Sequence, residues 1–202
     1  MFNIFFVQKK YHTFALIYKK RLVPITMKNS IHTLDVFDFD RTLCISPENT
    51  QENRKIWEQK TGLKWPYKGT GWWSKVETLN HKIFEIKLND WVAKDALESI
   101  NDVNRYSVLL TGRMPRFSSS IKEICRLNGL PYFNAYFFND SKGTLAFKLD
   151  KLEQLRKEFP DAKKLNMWED RKEHIPEFVA WGTANYGSGF KMNIVEVDEN
   201  SI

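Results

Sequence analysis

The sequence predicts an α/β fold: a parallel sheet covered by helices on both faces, with a small Trp-rich insert after the first strand. Three observations predict it. Short apolar runs rich in β-branched and aromatic residues alternate with longer segments of helical period. Three of those runs stop at polar residues (Asp38 and Asp40, Thr111 and Arg113, Glu169 and Asp170), as strands do when their carboxyl ends border a site. Asp38 and Thr111 are 111 − 38 = 73 positions apart. That is about twice what a minimal crossover between parallel strands needs, so the connection carries extra structure.

Each element has its own signal. "HTLDVFDF" reads as a buried strand ending near Asp38. Ser46-Pro47 looks like an N-cap followed by proline at the first helical position, and a helix follows to Thr61-Gly62. Residues 62–89 read as irregular, with glycines at 62, 69 and 71 and tryptophans at 65, 72 and 73. Asn89 or Asp90 opens a second helix that runs to about Asp102. "RYSVLLTGR" is a second buried strand with a sharp glycine turn, and Pro115 starts a third helix closed by Gly129. "PYFNAYFF" is a third strand. "TLAFKLDKLEQLRKEFP" has apolar residues at 145, 149, 152, 155 and 159, close to helical period, and stops at Pro160. "KKLNMWEDR" is a fourth strand ending in acids, and "MNIVEV" a fifth. Strands alternating with helices imply a parallel sheet.

At 202 residues and 42% hydrophobic, the chain is long enough for one domain with a full core, which excludes a disordered protein. The net charge of +6 belongs to the start: residues 1–34 hold six lysines and arginines and no acid, leaving 25 basic against 25 acidic residues for the rest. The high isoelectric point therefore does not by itself argue for a nucleic-acid partner. We read residues 1–30 as a basic extension (a disordered segment, a mitochondrial presequence, or an over-called start with Met27 as the first residue) and 31–202 as the domain, with a cap-like insert at about 44–89. No segment reads as transmembrane. Two cysteines in no metal-like spacing indicate a reducing, intracellular compartment: the cytoplasm, or the mitochondrion if the extension is a presequence. Oligomeric state has no signal.

If the strands are neighbours, Asp38, Asp40, Glu169 and Asp170 converge with Thr111 and a lysine, Lys148, at the start of the helix before the fourth strand. Four clustered carboxylates repel one another unless a cation neutralises them, and oxygen-only ligands suit Mg²⁺. Taken alone, Asp38 and Asp40 read equally well as strand-end turn caps, and Lys148 as a surface lysine. Thr42 and Gly112 are candidate substrate contacts, while Arg113 meets a substrate phosphate or a neighbouring acid. His174 and Arg171 read as structural.

"DVFDFDRT" resembles the DxDxT motif of the haloacid dehalogenase (HAD) superfamily, "LLTGR" is similar to its second motif, Lys148 to its third and "NMWEDR" to its fourth. More narrowly, "WEQKTGLKWPYKGTGWW", "LLTGR" and "WEDRKEH" resemble the HAD-type domain of Swiss Army Knife RNA repair-like proteins. The resemblance implies a Rossmann-like, HAD-like fold and a Mg²⁺-dependent phosphohydrolase. Asp38 would be the nucleophile that forms an aspartyl-phosphate, Asp40 the general acid and base, and Thr111 a donor to a phosphoryl oxygen. Lys148 would neutralise charge. Asp38, the backbone carbonyl of Asp40, and Asp170 would hold the metal, with Glu169 a second ligand or an outer acid. Lys142 is the alternative third-motif lysine.

The insert interleaves Arg54, Lys55, Lys60, Lys64, Lys68 and Lys75 with Trp57, Trp65, Tyr67, Trp72 and Trp73. Aromatics stack bases and lysines meet phosphates, so this pattern suits single-stranded nucleic acid, and with the family resemblance it implies an end phosphate of RNA or a nucleotide as substrate. Trp57 and Trp65 read as core, and Trp72 and Trp73 equally as core or as a substrate platform. The alternatives to an RNA or nucleotide phosphatase are a small-metabolite phosphatase and a non-catalytic RNA- or protein-binding module.

Overall fold

The computed structural model describes residues 31–65, 69–140 and 143–196; the basic extension, Tyr67, Lys68 and Lys142 lie outside them. The elements in chain order are β1 (Thr33–Phe37), β2 (Cys44–Ile45), α1 (Gln51–Thr61), β3 (Lys87–Leu88), α2 (Asp90–Asn101), β4 (Arg105–Thr111), α3 (Ser118–Leu127), β5 (Ala135–Phe138), α4 (Thr144–Glu158), β6 (Lys164–Glu169), α5 (Ile175–Tyr186) and β7 (Phe190–Ile194). Five strands form one parallel sheet in the order β5-β4-β1-β6-β7, and β2 and β3 make a separate antiparallel pair. The α/β reading holds.

Period-two alternation divides the core into two layers. Leu34, Val36, Val108, Leu110, Leu165 and Met167 face one side, where they pack with Phe147, Leu152 and Leu155 of α4 and Phe178 of α5. Phe37, Leu109 and Trp168 face the other, against Val92 and Ala96 of α2 and Ile121 and Ile124 of α3. Trp57, Trp72, Leu79 and Phe84 extend this second layer into the segment between β2 and β3. Asp35 is buried mid-strand and fully partnered: Arg105 Nε lies 2.6 Å away, Ser99 Oγ donates at 2.6 Å and Asn166 Nδ2 at 2.8 Å. Its neighbourhood is structural, at the amino-terminal half of the sheet.

The local differences from expectation have physical causes. The first helix starts at Gln51, not after Ser46-Pro47, because Thr50 is the cap: its hydroxyl accepts from the Asn53 N–H at 3.1 Å. Pro47 stays outside the helix, and its carbonyl accepts the Trp72 indole N–H at 2.8 Å. Pro115 opens a single 3₁₀ turn, Pro115–Phe117, before α3 begins. Helix α5 has no counterpart in the sequence reading. Gly182 in its interior weakens the helical signal, yet a Cβ there would lie 2.4 Å from the Phe190 ring, so glycine is what lets β7 approach. Among the described residues no helix is long and apolar enough to cross a membrane.

Strand β1 lies between β4 and β6; the chain leaves it on the β4 side and crosses back to the β6 side after β5. That reversal opens a crevice at the carboxyl ends of the three central strands. The Asp38 N–H continues the ladder by donating to the Trp168 carbonyl at 3.1 Å; beyond it the chain curls into a tight loop, with Cys44 N–H on the Phe39 carbonyl at 2.8 Å.

Candidate active site

The loop after β1 turns both Asp38 and Asp40 toward one cavity of about 1140 Å³, lined also by Arg41, Glu48, Trp73, Gly112, Arg113, Thr144, Lys148 and Asp170. The turn needs a left-handed residue, and Arg41 takes it, with φ 61°. It is the single non-glycine residue with positive φ among those described.

Asp38, Glu169 and Asp170 place carboxylate oxygens within 4.8 Å of one another. Lys148 enters from the second turn of α4, almost wholly buried (1% exposed). Its Nζ donates to Asp38 Oδ1 at 2.5 Å and to Glu169 Oε2 at 2.7 Å. The surface-lysine reading is thus replaced. The other Glu169 oxygen accepts the Arg171 N–H at 3.3 Å, so both its oxygens serve the protein. Asp170 has looser company: Thr42 Oγ1 donates at 3.4 Å, and Arg41 Nε lies 3.6 Å away, also 3.6 Å from Glu48.

Burial and crowding set the protonation of the cluster. Desolvation pushes the Asp38 carboxyl up to about 7; Lys148 pulls against that shift and Glu169 adds to it. Asp170 is raised to about 6, first by burial and then by the charge of Asp38. Burial opposes the charge on Lys148, but Asp38 and Glu169 outweigh it and raise its pKa. When the three acids are ionised they carry −3 against +1 for Lys148, leaving two negative charges on an all-oxygen donor set. A divalent hard cation fits that set.

Asp40 stands apart from the cluster. Arg113 grips it with a fork, Nε to Oδ2 at 2.8 Å and Nη2 to Oδ1 at 2.7 Å. Its carboxylate is therefore directed to Arg113 and not to the metal-type cluster, so of the four acids the sequence brings together three share one point. Arg113 Nη1 donates to the Trp73 carbonyl at 2.9 Å, so all three guanidinium nitrogens are engaged. Of the two readings for Arg113, the neighbouring acid is the one realised.

The remaining candidates divide. Gly112 lines the cavity, and a Cβ there would come within 2.9 Å of the Thr144 side chain; glycine admits the start of α4 to the site. Thr111 is buried, its hydroxyl oxygen accepting the Arg113 N–H at 3.1 Å. Thr42 is buried against Asp170, which corrects its assignment as a substrate contact. Trp72 is a second correction. It is fully buried, its indole N–H on Pro47 and its ring 4.9 Å from Trp65 and 5.7 Å from Phe84, so no face is left for a substrate. Trp73 does line the cavity, its ring packed on the Arg113 guanidinium at 4.9 Å.

Sequence reasoning missed Arg41, Glu48 and Arg116 on the cavity wall. Arg41 had a signal, since it lies inside the quoted "DFDRT" where the chain must turn. Glu48 and Arg116 had none.

Among solved structures, the chain resembles one from a Pnkp1/Rnl/Hen1 complex at 15% identity and TM-score 0.44; the likeness covers 82% of this chain and 46% of that one. This chain therefore spans less than half the length of that relative. It also resembles a class C acid phosphatase from Bacillus anthracis, solved with tungstate bound (15% identity, 82% and 67% of the two chains, TM-score 0.47). A third likeness is to a haloacid dehalogenase-like hydrolase from Streptococcus pneumoniae (15%, 76% and 82%, TM-score 0.45). A family model, that of HAD domain family 1 in Swiss Army Knife RNA repair proteins, matches residues 46–201. That match begins after the Asp38–Thr42 loop and takes in Thr111, Lys148, Glu169 and Asp170. The chain belongs to HAD domain family 1 of Swiss Army Knife RNA repair proteins.

Proposed function

We propose that the protein is a Mg²⁺-dependent phosphohydrolase that acts through an aspartyl-phosphate, on an end phosphate of RNA or on a nucleotide. One observation carries the reading: three carboxylates and a buried lysine share one point at the cavity floor, with Asp38 among them and Asp40 beside them. An acid cluster with a single lysine and a raised Asp38 is costly for stability alone, and such cost marks functional sites.

Asp38 attacks phosphorus through a carboxylate oxygen; the bond from phosphorus to the leaving oxygen breaks, and Asp40 gives that oxygen its proton. Water then attacks the phosphorus of the acyl phosphate, Asp40 takes the water's proton, and the bond to Asp38 breaks. Lys148 offsets the negative charge gathered at Asp38. Thr111, buried at the end of β4 next to Gly112 of the cavity wall, would donate its hydroxyl proton to a phosphoryl oxygen. Asp38 and Asp170 would hold Mg²⁺, with Glu169 as an outer acid. The ion would supply charge neutralisation at a loose, phosphoryl-rich transition state.

The RNA or nucleotide substrate is supported by the family's name and by Trp73 on the cavity wall with Arg116, Arg171 and Lys172 around the rim. The test is a phosphate-release screen over nucleoside monophosphates, sugar phosphates and 3′- or 5′-phosphorylated oligoribonucleotides, with and without Mg²⁺, for the wild type and Asp38→Asn. Mg²⁺-dependent release abolished by Asp38→Asn is expected. Turnover of sugar phosphates alone would make it a metabolite phosphatase, and binding of oligonucleotides without any release would make it a binding module.

A further inference from the structure

The Trp-rich insert meets the catalytic pair through one side chain. Arg113 is buried (5% exposed), with the Trp73 ring and the Phe117 ring each 4.9 Å from its guanidinium carbon. Two of its nitrogens fork onto Asp40; the third reaches the Trp73 carbonyl at 2.9 Å and the Thr78 hydroxyl at 3.5 Å, both in the insert. Trp73 is held in turn by its neighbour in the same 3₁₀ turn, Trp72, whose indole is pinned to the Pro47 carbonyl. A planar guanidinium cannot rotate at Trp73 without rotating at Asp40, because its donors form one rigid fork.

Resting on the phosphohydrolase reading, we infer that Arg113 is a positioning residue for Asp40, and that the docked Trp-rich insert sets the orientation of that carboxylate. The insert then governs proton delivery to the leaving oxygen as well as access to the cavity. Lysine at 113 would keep the charge but lose the fork, and loosening the turn at Trp72 would move the Trp73 carbonyl that anchors it.

Proton delivery matters for a poor leaving group and little for a good one. The measurement is therefore the ratio of kcat/KM on β-glycerophosphate to that on p-nitrophenyl phosphate, with Mg²⁺. Unfolded enzyme scales both rates alike, so the ratio is blind to lost stability. Arg113→Lys should lower the ratio by about 10²-fold, the size of a misplaced general acid. Trp72→Leu, which touches neither Asp40 nor the cavity, should lower it several-fold. Arg113→Ala should recover activity on β-glycerophosphate when guanidinium is added. An unchanged ratio in Arg113→Lys overturns the positioning role, and an unchanged ratio in Trp72→Leu overturns the coupling to the insert. Absence of any Asp38-dependent turnover in the wild type instead overturns the phosphohydrolase reading, and the inference with it.

Discussion

Replacing Lys148 with methionine should destabilise the protein by about 3–5 kcal/mol at pH 8, the cost of breaking a buried ion pair from one side. Methionine has a similar shape and the site is almost wholly buried, so packing changes little. What is lost is the partner of two carboxylates at 2.5 and 2.7 Å. The pH dependence has a definite sign. The folded-state pKa of Asp38 is already about 7, against about 3.8 when unfolded, and Lys148 is what restrains it. Without the lysine it rises further. An acid raised on folding favours the folded state below its unfolded pKa, and that contribution is lost as pH climbs through the folded one. The penalty should therefore be largest at pH 8 and shrink toward pH 5, where the cluster can protonate. The assay is urea unfolding in EDTA at both pH values. With an m-value of about 2 kcal/mol/M, the midpoint should fall by about 1.5–2.5 M at pH 8. Adding Glu169→Gln to Lys148→Met should restore part of the loss, because one of the two stranded acids is gone. A midpoint unchanged at pH 8, or a loss as large at pH 5, would refute the buried counter-ion role.

Asp38→Asn should lower Mg²⁺-dependent phosphate release at least about 10³-fold while leaving the metal-free protein at least as stable at pH 8, since the folded state no longer holds a raised carboxyl; release assays and thermal melts check both halves. Mg²⁺ should raise the melting temperature of the wild type but not of Asp170→Asn. The rise should grow between pH 5.5 and 8, because Asp170 at about 6 and Asp38 at about 7 must lose protons to bind it; scanning fluorimetry across pH reads this. Asp35→Ala should cost about 3 kcal/mol or more by stranding Arg105, Ser99 and Asn166, yet leave kcat/KM per folded molecule unchanged.

What the sequence made legible follows from a rule about parallel sheets: strand ends converge, so Asp38, Thr111 and Glu169-Asp170 had to meet once β1, β4 and β6 were recognised. Side-chain direction was harder to read. Trp72 and Trp73 are adjacent, and a 3₁₀ turn points successive residues about 120° apart, so one is core and the other faces the cavity. Composition cannot choose between them. The buried face of α4 carries Lys148, Leu152 and Leu155, at i, i+4 and i+7, where the sequence reading began its stripe at 145. A lysine on that stripe was the available sign of a buried charge. For Arg113 the sequence offered a substrate phosphate or a neighbouring acid, and only the folded loop after β1 singles out Asp40.

Three aspartates on or just beyond one strand meet two different fates, and the difference lies in the cations. Asp35 has Arg105, and Asp40 has Arg113 in a fork; each is a one-to-one pair. Asp38 must share Lys148 with Glu169. Among the described residues Asp170 makes its one ion pair with Arg41 at 3.6 Å, a guanidinium whose side chain is 37% exposed and therefore weakly effective. Unbalanced negative charge is thus concentrated between Asp38 and Asp170. Stability alone would favour apolar replacements there, as buried ionic clusters seldom raise stability over well-packed hydrophobic ones. The protein instead places one lysine where three would balance the cluster, and holds Asp40 clear of it. That distribution suits a divalent cation, which would bring the two positive charges the cluster lacks.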